Sequence, residues 1–155
     1  MANSTNAPFF VDTEVIRLTR NGVWMSDSTE IDHEGTRRMF AKILARDEQG
    51  YFLRVGSEFK RIEVEDTAFF VHRVEGSPEK GYTLWLNDET QEPLDPATLK
   101  YQPGRLTCSV RKLGGLEDAK FLHAAYFDLL TNLEENTREY FLEIQGVRVI
   151  LMTKN

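Results

Sequence analysis

The chain has 155 residues, of which 41% are hydrophobic and 28% charged, with a formal net charge of −6 at pH 7. This balance predicts a globular protein, and the length suits one domain or two small halves that share a core. The acidic charge argues against binding to duplex nucleic acid, which needs a basic face. The single cysteine, Cys108, excludes a disulfide framework within one chain.

Residues 1–8 are small and polar, which predicts a disordered tail. The N-terminal sequence has no basic region followed by an apolar run, so it does not resemble a secretory signal. No apolar run approaches the roughly 20 residues that cross a bilayer. These features predict a cytoplasmic protein without a membrane partner.

Two short apolar runs flank Asn21 and Gly22. Because Asn-Gly adopts the positive φ angles of a type I′ turn, this pattern predicts a β-hairpin. The following run, TRRMFAKILARDEQG, has apolar residues at helical spacing, with Asp32 as the expected N-cap and Gly50 closing the next turn.

Alternating strands are predicted next at YFLRV, FKRIEVE and AFFVHRVE, with a turn at GSPEKG and a further strand at YTLWLN. The stretch 88–105 contains three prolines and is predicted to be loop or edge. RLTCSVRK alternates again, so Cys108 is expected to be a buried strand thiol.

Gly114 and Gly115 are predicted to lead into the longest helix, LEDAKFLHAAYFDLLTNL. Glu117 and Asp118 fall in its expected first turn, where acidic side chains complement the helix dipole. The last segment, YFLEIQGVRVIL, is predicted to close the chain as a hairpin.

The stretches YFLRV, from Tyr51, and YFLEI, from Tyr140, have nearly the same sequence. Each is predicted to follow an amphipathic helix and to precede a second alternating strand. We therefore expect an α+β fold built from a duplicated strand-strand-helix-hairpin unit. The two repeats would occupy residues 9–79 and 80–155, and the groove between them is the expected place for a ligand.

The run VRKLGGLEDAK has the composition of an anion-binding turn. Backbone N–H groups at a helix N-terminus, exposed by glycine and flanked by cations, bind anions. The candidate ligand-binding residues are Arg111, Lys112, Gly114, Gly115 and Lys120. The alternative is a structural strand-to-helix turn whose acidic first turn satisfies the helix by itself.

Other residue types give no comparable pattern. The three histidines, His33, His72 and His123, share no metal-ligand spacing, and the acidic runs at 64–67 and 87–90 lack the spacing of a calcium loop. No nucleophile and base pattern is apparent. We therefore predict no catalytic residue, no metal and no cofactor.

Most of the chain, residues 14 to 152, resembles the bacterial family catalogued as domain of unknown function 1285. Its landmarks here are Gly22-x-Trp24, Arg46-Asp47-Glu48-x-Gly50-Tyr51, Val64-Glu65-Asp66 and Gly114-Gly115-Leu116-Glu117. The resemblance implies a duplicated α+β core whose second half superficially resembles pleckstrin-homology-like folds. It also implies a cleft for a nucleotide-like ligand and a role in signal transduction, with no established activity.

The chain departs from the family pattern at the glycine pair. An arginine often precedes that pair and another follows the Leu-Glu, whereas this chain has Leu113 and Asp118-Ala119 at those places. Arg111, Lys112 and Lys120 are the nearby cations.

The leading hypothesis is a non-catalytic binding module that senses a small anionic, nucleotide-like ligand between two halves. The first alternative is a protein-interaction module that uses strand edges or the proline-containing stretch. The second alternative is an enzyme, which lacks support from any catalytic constellation. The sequence leaves the oligomeric state open.

Overall fold

The structure is a computed structural model that describes residues 9–155, so the predicted disordered tail 1–8 lies outside the described residues. The chain forms two compact units, one ending at Asp66 and the second running from Thr67 to Asn155. The described residues are mostly β-structure, with two α-helices.

The first unit contains seven strands and one helix within the described residues. Its elements are Ile16–Leu18 (β1), Trp24–Ser26 (β2), Thr29–Glu30 (β3), Glu34–Ile43 (α1), Leu44–Asp47 (β4), Gly50–Val55 (β5), Glu58–Arg61 (β6) and Glu63–Val64 (β7). The strands form a four-stranded sheet in the order β3-β2-β1-β7 and a three-stranded sheet in the order β4-β5-β6.

In the first unit, the predicted hairpin is confirmed and the predicted N-cap of α1 is wrong. The hairpin around Asn21 is confirmed as β1 and β2, although its loop is longer than two residues and only Gly22 has a positive φ, at 80°. Asp32 is not the N-cap of α1. His33 takes that place because its extended backbone lets its ring nitrogen accept the Thr36 N–H at 3.1 Å.

The second unit contains nine strands, one α-helix and one short 3₁₀ helix. Its elements are Phe69–Ser77 (β8), Gly81–Leu86 (β9), Gln91–Pro93 (β10), the 3₁₀ helix Pro96–Thr98, Lys100–Gln102 (β11), Arg105–Lys112 (β12), Gly115–Phe121 (β13), His123–Leu130 (α2), Glu134–Glu135 (β14), Glu139–Ile144 (β15) and Val147–Thr153 (β16). The predicted turn GSPEKG joins β8 to β9 inside this unit.

Six strands of the second unit form one sheet in the order β10-β9-β8-β13-β12-β11, in which only the β8–β13 pair is parallel. The proline-containing stretch supplies β10 and β11, which are the two edges. The sheet is strongly curved, since Glu92 on the edge strand β10 accepts the backbone N–H of Arg111 on β12 at 3.1 Å.

The prediction of a helix that begins directly after Gly115 is wrong for the first half of that segment. Residues 115–121 form β13, which pairs with β12, and α2 begins only at His123. Glu117, Ala119 and Phe121 are buried in alternation, which is the period of a strand. The charge of Glu117 concealed this period in the sequence, because a carboxylate is rarely found on the buried face of a strand.

The predicted strands at both YFL stretches are confirmed, as β5 and β15. Each is the middle strand of a three-stranded antiparallel sheet that follows a helix. Leu53 and Leu142 are fully buried, at 0% and 1% exposure. Both sheets are therefore anchored through the same residue of the shared stretch.

A candidate ligand site at the β12–β13 hairpin

The predicted anion-binding turn lies at the end of the β12–β13 hairpin. Lys112 and Gly115 are the last cross-strand pair, and only two residues separate them. Leu113 has φ 54° and Gly114 has φ 77°, which are the angles of a type I′ turn. A β-turn replaces the predicted helix start, so no helix dipole contributes to anion binding here.

Leu113 occupies a backbone conformation that its side chain disfavours. Left-handed backbone costs an L-residue roughly 1–2 kcal/mol, and asparagine or glycine is usual at this place in the turn. Its side chain is 40% exposed, and that of neighbouring Leu116 is 65% exposed. Two exposed leucines therefore lie near each other at a hairpin end whose backbone is strained.

The six residues Arg111–Leu116, here called the tip, line a cavity of ≈ 390 Å³. The cavity thus brings together four of the five predicted ligand residues. The fifth, Lys120, does not line it. Lys120 is opposite Thr107 and five residues along β13 from Gly115, which corresponds to about 16 Å of extended strand.

The charge of Lys112 is already matched within the protein. Its Nζ lies 2.7 Å from Oδ2 of Asp88, and both side chains are largely buried, at 14% and 11% exposure. It also donates to the Thr90 hydroxyl. Burial raises the pKa of Asp88, but hydrogen bonds from Lys112 and Thr90 outweigh burial and leave that pKa below its usual value.

Arg111 differs from Lys112 in this respect. Its side chain is exposed, and within residues 9–155 its guanidinium takes part in no ion pair or hydrogen bond. Its backbone N–H, in contrast, donates to the Glu92 carboxylate. The backbone of Arg111 is therefore held in place while its charged group faces solvent at the cavity.

The neighbouring edge of β12 is closed by side chains. Beyond the short strand β11, the N–H of Ser109 donates to the Thr98 hydroxyl at 3.1 Å, and that of Arg111 donates to Glu92. Side-chain acceptors thus occupy the positions where an added strand would bind. Strand addition at β12 is blocked, which leaves the tip as the accessible part of this hairpin.

Cys108 is confirmed as a buried strand thiol. It lies in β12 at 1% exposure. Burial, reinforced by the negative charges of Glu92 and Asp118, raises the pKa of this thiol to about 12. Because the thiolate is the reactive form, Cys108 is inert at neutral pH.

The histidines lie on different elements. His33 caps α1, His72 lies on β8, and His123 begins α2 and packs against Phe127 with ring centroids 4.8 Å apart. Residues 9–155 contain no group of three metal-ligating side chains.

Sequence reasoning missed Leu113 and Leu116. Leu113 stands out in the sequence only as a departure from the family pattern, and Leu116 only as the first residue of the predicted helix. The available signal was an apolar residue on each side of a glycine pair, since turn positions usually carry small or polar residues.

The first unit matches the family model described as Domain of unknown function (DUF1285), N-terminal domain, over residues 4–67. The crystal structure of a DUF1285 family protein from Silicibacter pomeroyi DSS-3 is similar, with 23% identity, a TM-score of 0.68, and coverage of 89% of this chain and 79% of that chain. Residues 4–67 thus match the DUF1285 N-terminal domain, and the chain shares its fold with a DUF1285 family structure. The resemblance found in the sequence is thereby confirmed.

A second DUF1285 family structure, from Shewanella baltica OS155, has 20% identity and a TM-score of 0.59, and the match covers 78% of this chain and 94% of that one. At these identities the two structures establish the DUF1285 fold and no activity. No curated protein matches the chain. Neither helix among the described residues has the length and apolar character needed to cross a membrane.

Proposed function

We propose that the protein is a non-catalytic binding module that recognises a small anionic ligand at the tip. One observation carries the proposal: the exposed guanidinium of Arg111 borders the cavity without an ion-pair partner among the described residues. A guanidinium offers a planar fork of donors that binds carboxylate or phosphate through two hydrogen bonds.

The surroundings of Arg111 favour a ligand with an anionic group and an apolar or planar portion. Leu113 and Leu116 supply exposed apolar surface along the same cavity. Its volume of ≈ 390 Å³ lies in the lower range of small-molecule sites, which start at roughly 300 Å³. A nucleotide-like ligand, as the family resemblance implies, has both portions. A role in signal transduction belongs to the same proposal.

The internal duplication is also part of the proposal. Beyond the shared YFL stretch, Phe52 and Phe141 each lie under a guanidinium, from Arg61 at 5.2 Å and Arg148 at 4.1 Å from the ring centroid. A helix followed by three antiparallel strands recurs in each unit. The likeness of the second half to pleckstrin-homology folds stays a prediction.

The test is a thermal-shift screen of nucleotides, cyclic nucleotides, inorganic phosphate and simple carboxylates at fixed salt and pH. A ligand at 100 times its dissociation constant stabilises by about 2.7 kcal/mol. For a protein of this size we expect the melting temperature to rise by roughly 5–10 °C.

Arg111→Ala should abolish the shift of any hit. Arg138→Ala is the matched control, since its side chain is also exposed and has no ion-pair partner in the described part of the chain. If a ligand still raises the melting temperature of the Arg111→Ala variant, that ligand binds elsewhere on the protein. A flat screen across all these anions would count against the proposal and favour a protein-interaction module.

A further inference from the structure

The number of available positive charges at the tip limits the ligand that it can bind. Two cations line the cavity, and the charge of one of them, Lys112, is matched by Asp88 at 2.7 Å. The third cation of the predicted set, Lys120, does not line the cavity. In the chain from residue 9 onward, the tip therefore presents one unmatched positive charge, the guanidinium of Arg111.

Arg111 and Leu116 are a directly opposed cross-strand pair of the β12–β13 hairpin. The side chains of such a pair lie on the same face of the sheet, with Cβ atoms about 4.5–5.5 Å apart. Because successive side chains of a strand alternate, Lys112 lies on the other face. Leu116 is 65% exposed, so apolar surface directly borders the guanidinium of Arg111.

Two carboxylates lie close to this cross-strand pair. Glu92 accepts the backbone N–H of Arg111 at 3.1 Å. Asp118 is exposed and follows Leu116 by two residues along β13, which places it on the face that holds Arg111 and Leu116. A second negative charge on a ligand would approach these carboxylates without a cation to match it. The net charge of −6 adds to this repulsion.

We propose that the tip selects a singly charged amphipathic anion. One carboxylate or phosphodiester group binds the Arg111 guanidinium through two hydrogen bonds, while an apolar or aromatic body covers Leu116 and Leu113. Both kinds of group offer the two oxygens and the single charge that one guanidinium matches. This inference rests on the function proposed above and narrows it, because it excludes ligands with several charges, such as nucleoside polyphosphates.

Charge matching is the physical reason for this selectivity. A dianion at a site with one cation has a second charge that loses part of its hydration without gaining a partner. The contact of an apolar body with the exposed leucines adds a hydrophobic stabilisation that a small anion such as acetate lacks. A singly charged ligand with an apolar body therefore binds more tightly than either a polyanion or acetate.

The experiment is an amide NMR titration of the full chain with matched pairs of probes, at about pH 7.5 and fixed low salt. Benzoate and methyl phenyl phosphate carry one charge, whereas isophthalate and phenyl phosphate carry about two at this pH. The amide shifts of Gly114 and Gly115 report binding at the tip itself. We expect each singly charged probe to bind at least about 10-fold more tightly than its doubly charged counterpart. The difference between benzoate and the phosphodiester identifies the group that the tip prefers.

A substitution at Leu116 tests whether charge sets the preference. Leu116→Lys places a second cation directly opposite Arg111, at an exposed position that accepts a long polar side chain. In this variant the doubly charged probes should bind more tightly than the singly charged ones. Leu116→Gln is the matched control, since it removes the same apolar surface without adding charge. It should weaken the binding of all four probes and leave the singly charged ones preferred.

Three results would overturn the inference. In the first, doubly charged probes bind the wild type as tightly as singly charged ones and Arg111→Ala abolishes both, so that the tip binds anions without this selectivity. In the second, Leu116→Lys still prefers the singly charged probes, so that charge matching does not set the preference. In the third, no probe shifts the tip amides, or the shifts persist in Arg111→Ala. Only this third result would also overturn the function proposed above.

Discussion

Leu113 shows how a single residue carries information that no motif records. It adopts φ 54°, and its side chain extends into solvent beside Leu116 and Arg111. Folding alone would favour asparagine or glycine there, because their side chains tolerate left-handed backbone. The leucine thus combines a strained backbone with a partly exposed side chain, a combination that the hairpin by itself does not require.

Leu113→Asn should therefore stabilise the protein by about 0.5–1 kcal/mol, since it creates the Asn-Gly pair preferred in a type I′ turn. Urea unfolding measures the change. Leu113→Ala is the control and should give no such gain, because alanine is also disfavoured at positive φ. If both substitutions destabilise equally, the leucine side chain contributes packing that outweighs the backbone strain.

The sequence alone does not show that the charge of Lys112 is neutralised while that of Arg111 is not. Both are cations at the end of a strand in the sequence, yet Lys112 is bound by Asp88, which is 24 positions earlier in the chain. Only the curved sheet brings these two side chains together. The composition of the predicted site was thus accessible from the sequence, while the distribution of charge within it was not.

At the scale of elements, β13 illustrates the limit of periodicity. The buried positions of β13 are Glu117, Ala119 and Phe121. Because the first of them is charged, the sequence of this strand does not show the apolar alternation that predicts a strand. The neighbouring segment LHAAYFDLL has a true helical pattern, and the sequence prediction extended that helix backwards across β13. The strands predicted at YFLRV, RLTCSVRK and YFLEI are confirmed as β5, β12 and β15.

The sheet β4-β5-β6 contains an ion pair with a defined pH dependence. Arg61 donates two hydrogen bonds to Asp47, at 2.7 and 3.0 Å, and joins the ends of β4 and β6. These bonds lower the pKa of Asp47 from 3.8 to about 2. Because the folded-state pKa is the lower one, the stabilisation is present above pH 4 and is lost as the pH falls through about 2.

Asp47→Asn should lower the midpoint of urea unfolding at pH 6 by a small amount, because the ion pair is exposed. High salt screens the pair, so the decrease should be smaller there. The difference from wild type should shrink as the pH falls from about 4 to about 2. The control, Glu48→Gln, changes a neighbouring exposed carboxylate. A difference that stays constant with pH would show that Asp47 acts through packing and not through its charge.

At the scale of the whole molecule, the chain is divided into two units, each with its own helix and three-stranded sheet. In the second unit, β8 to β16 pair among themselves, and buried residues come from both of its sheets and from α2. With 89 residues between Thr67 and Asn155, this unit is long enough to fold with a single hydrophobic core.

A chain of residues 67–155 should therefore fold alone, with well-dispersed amide resonances and a cooperative urea transition. Leu142→Ala in this fragment should cost roughly 2–5 kcal/mol, because Leu142 is 1% exposed. A fragment with collapsed amide dispersion would mean that the second unit needs the first for stability.

The sequence by itself determined most strands, the two hairpins whose turns contain Gly22 and Gly146, the burial of Cys108 and the DUF1285 resemblance. These follow from local alternation, glycine turns and short motifs, which act over a few residues. The tertiary structure decided that Gly114 belongs to a β-turn, that Asp88 neutralises Lys112, and that β16 lies at the edge of its sheet. Each of these depends on strands that are distant in the chain and adjacent in a curved sheet, and no local pattern encodes that proximity.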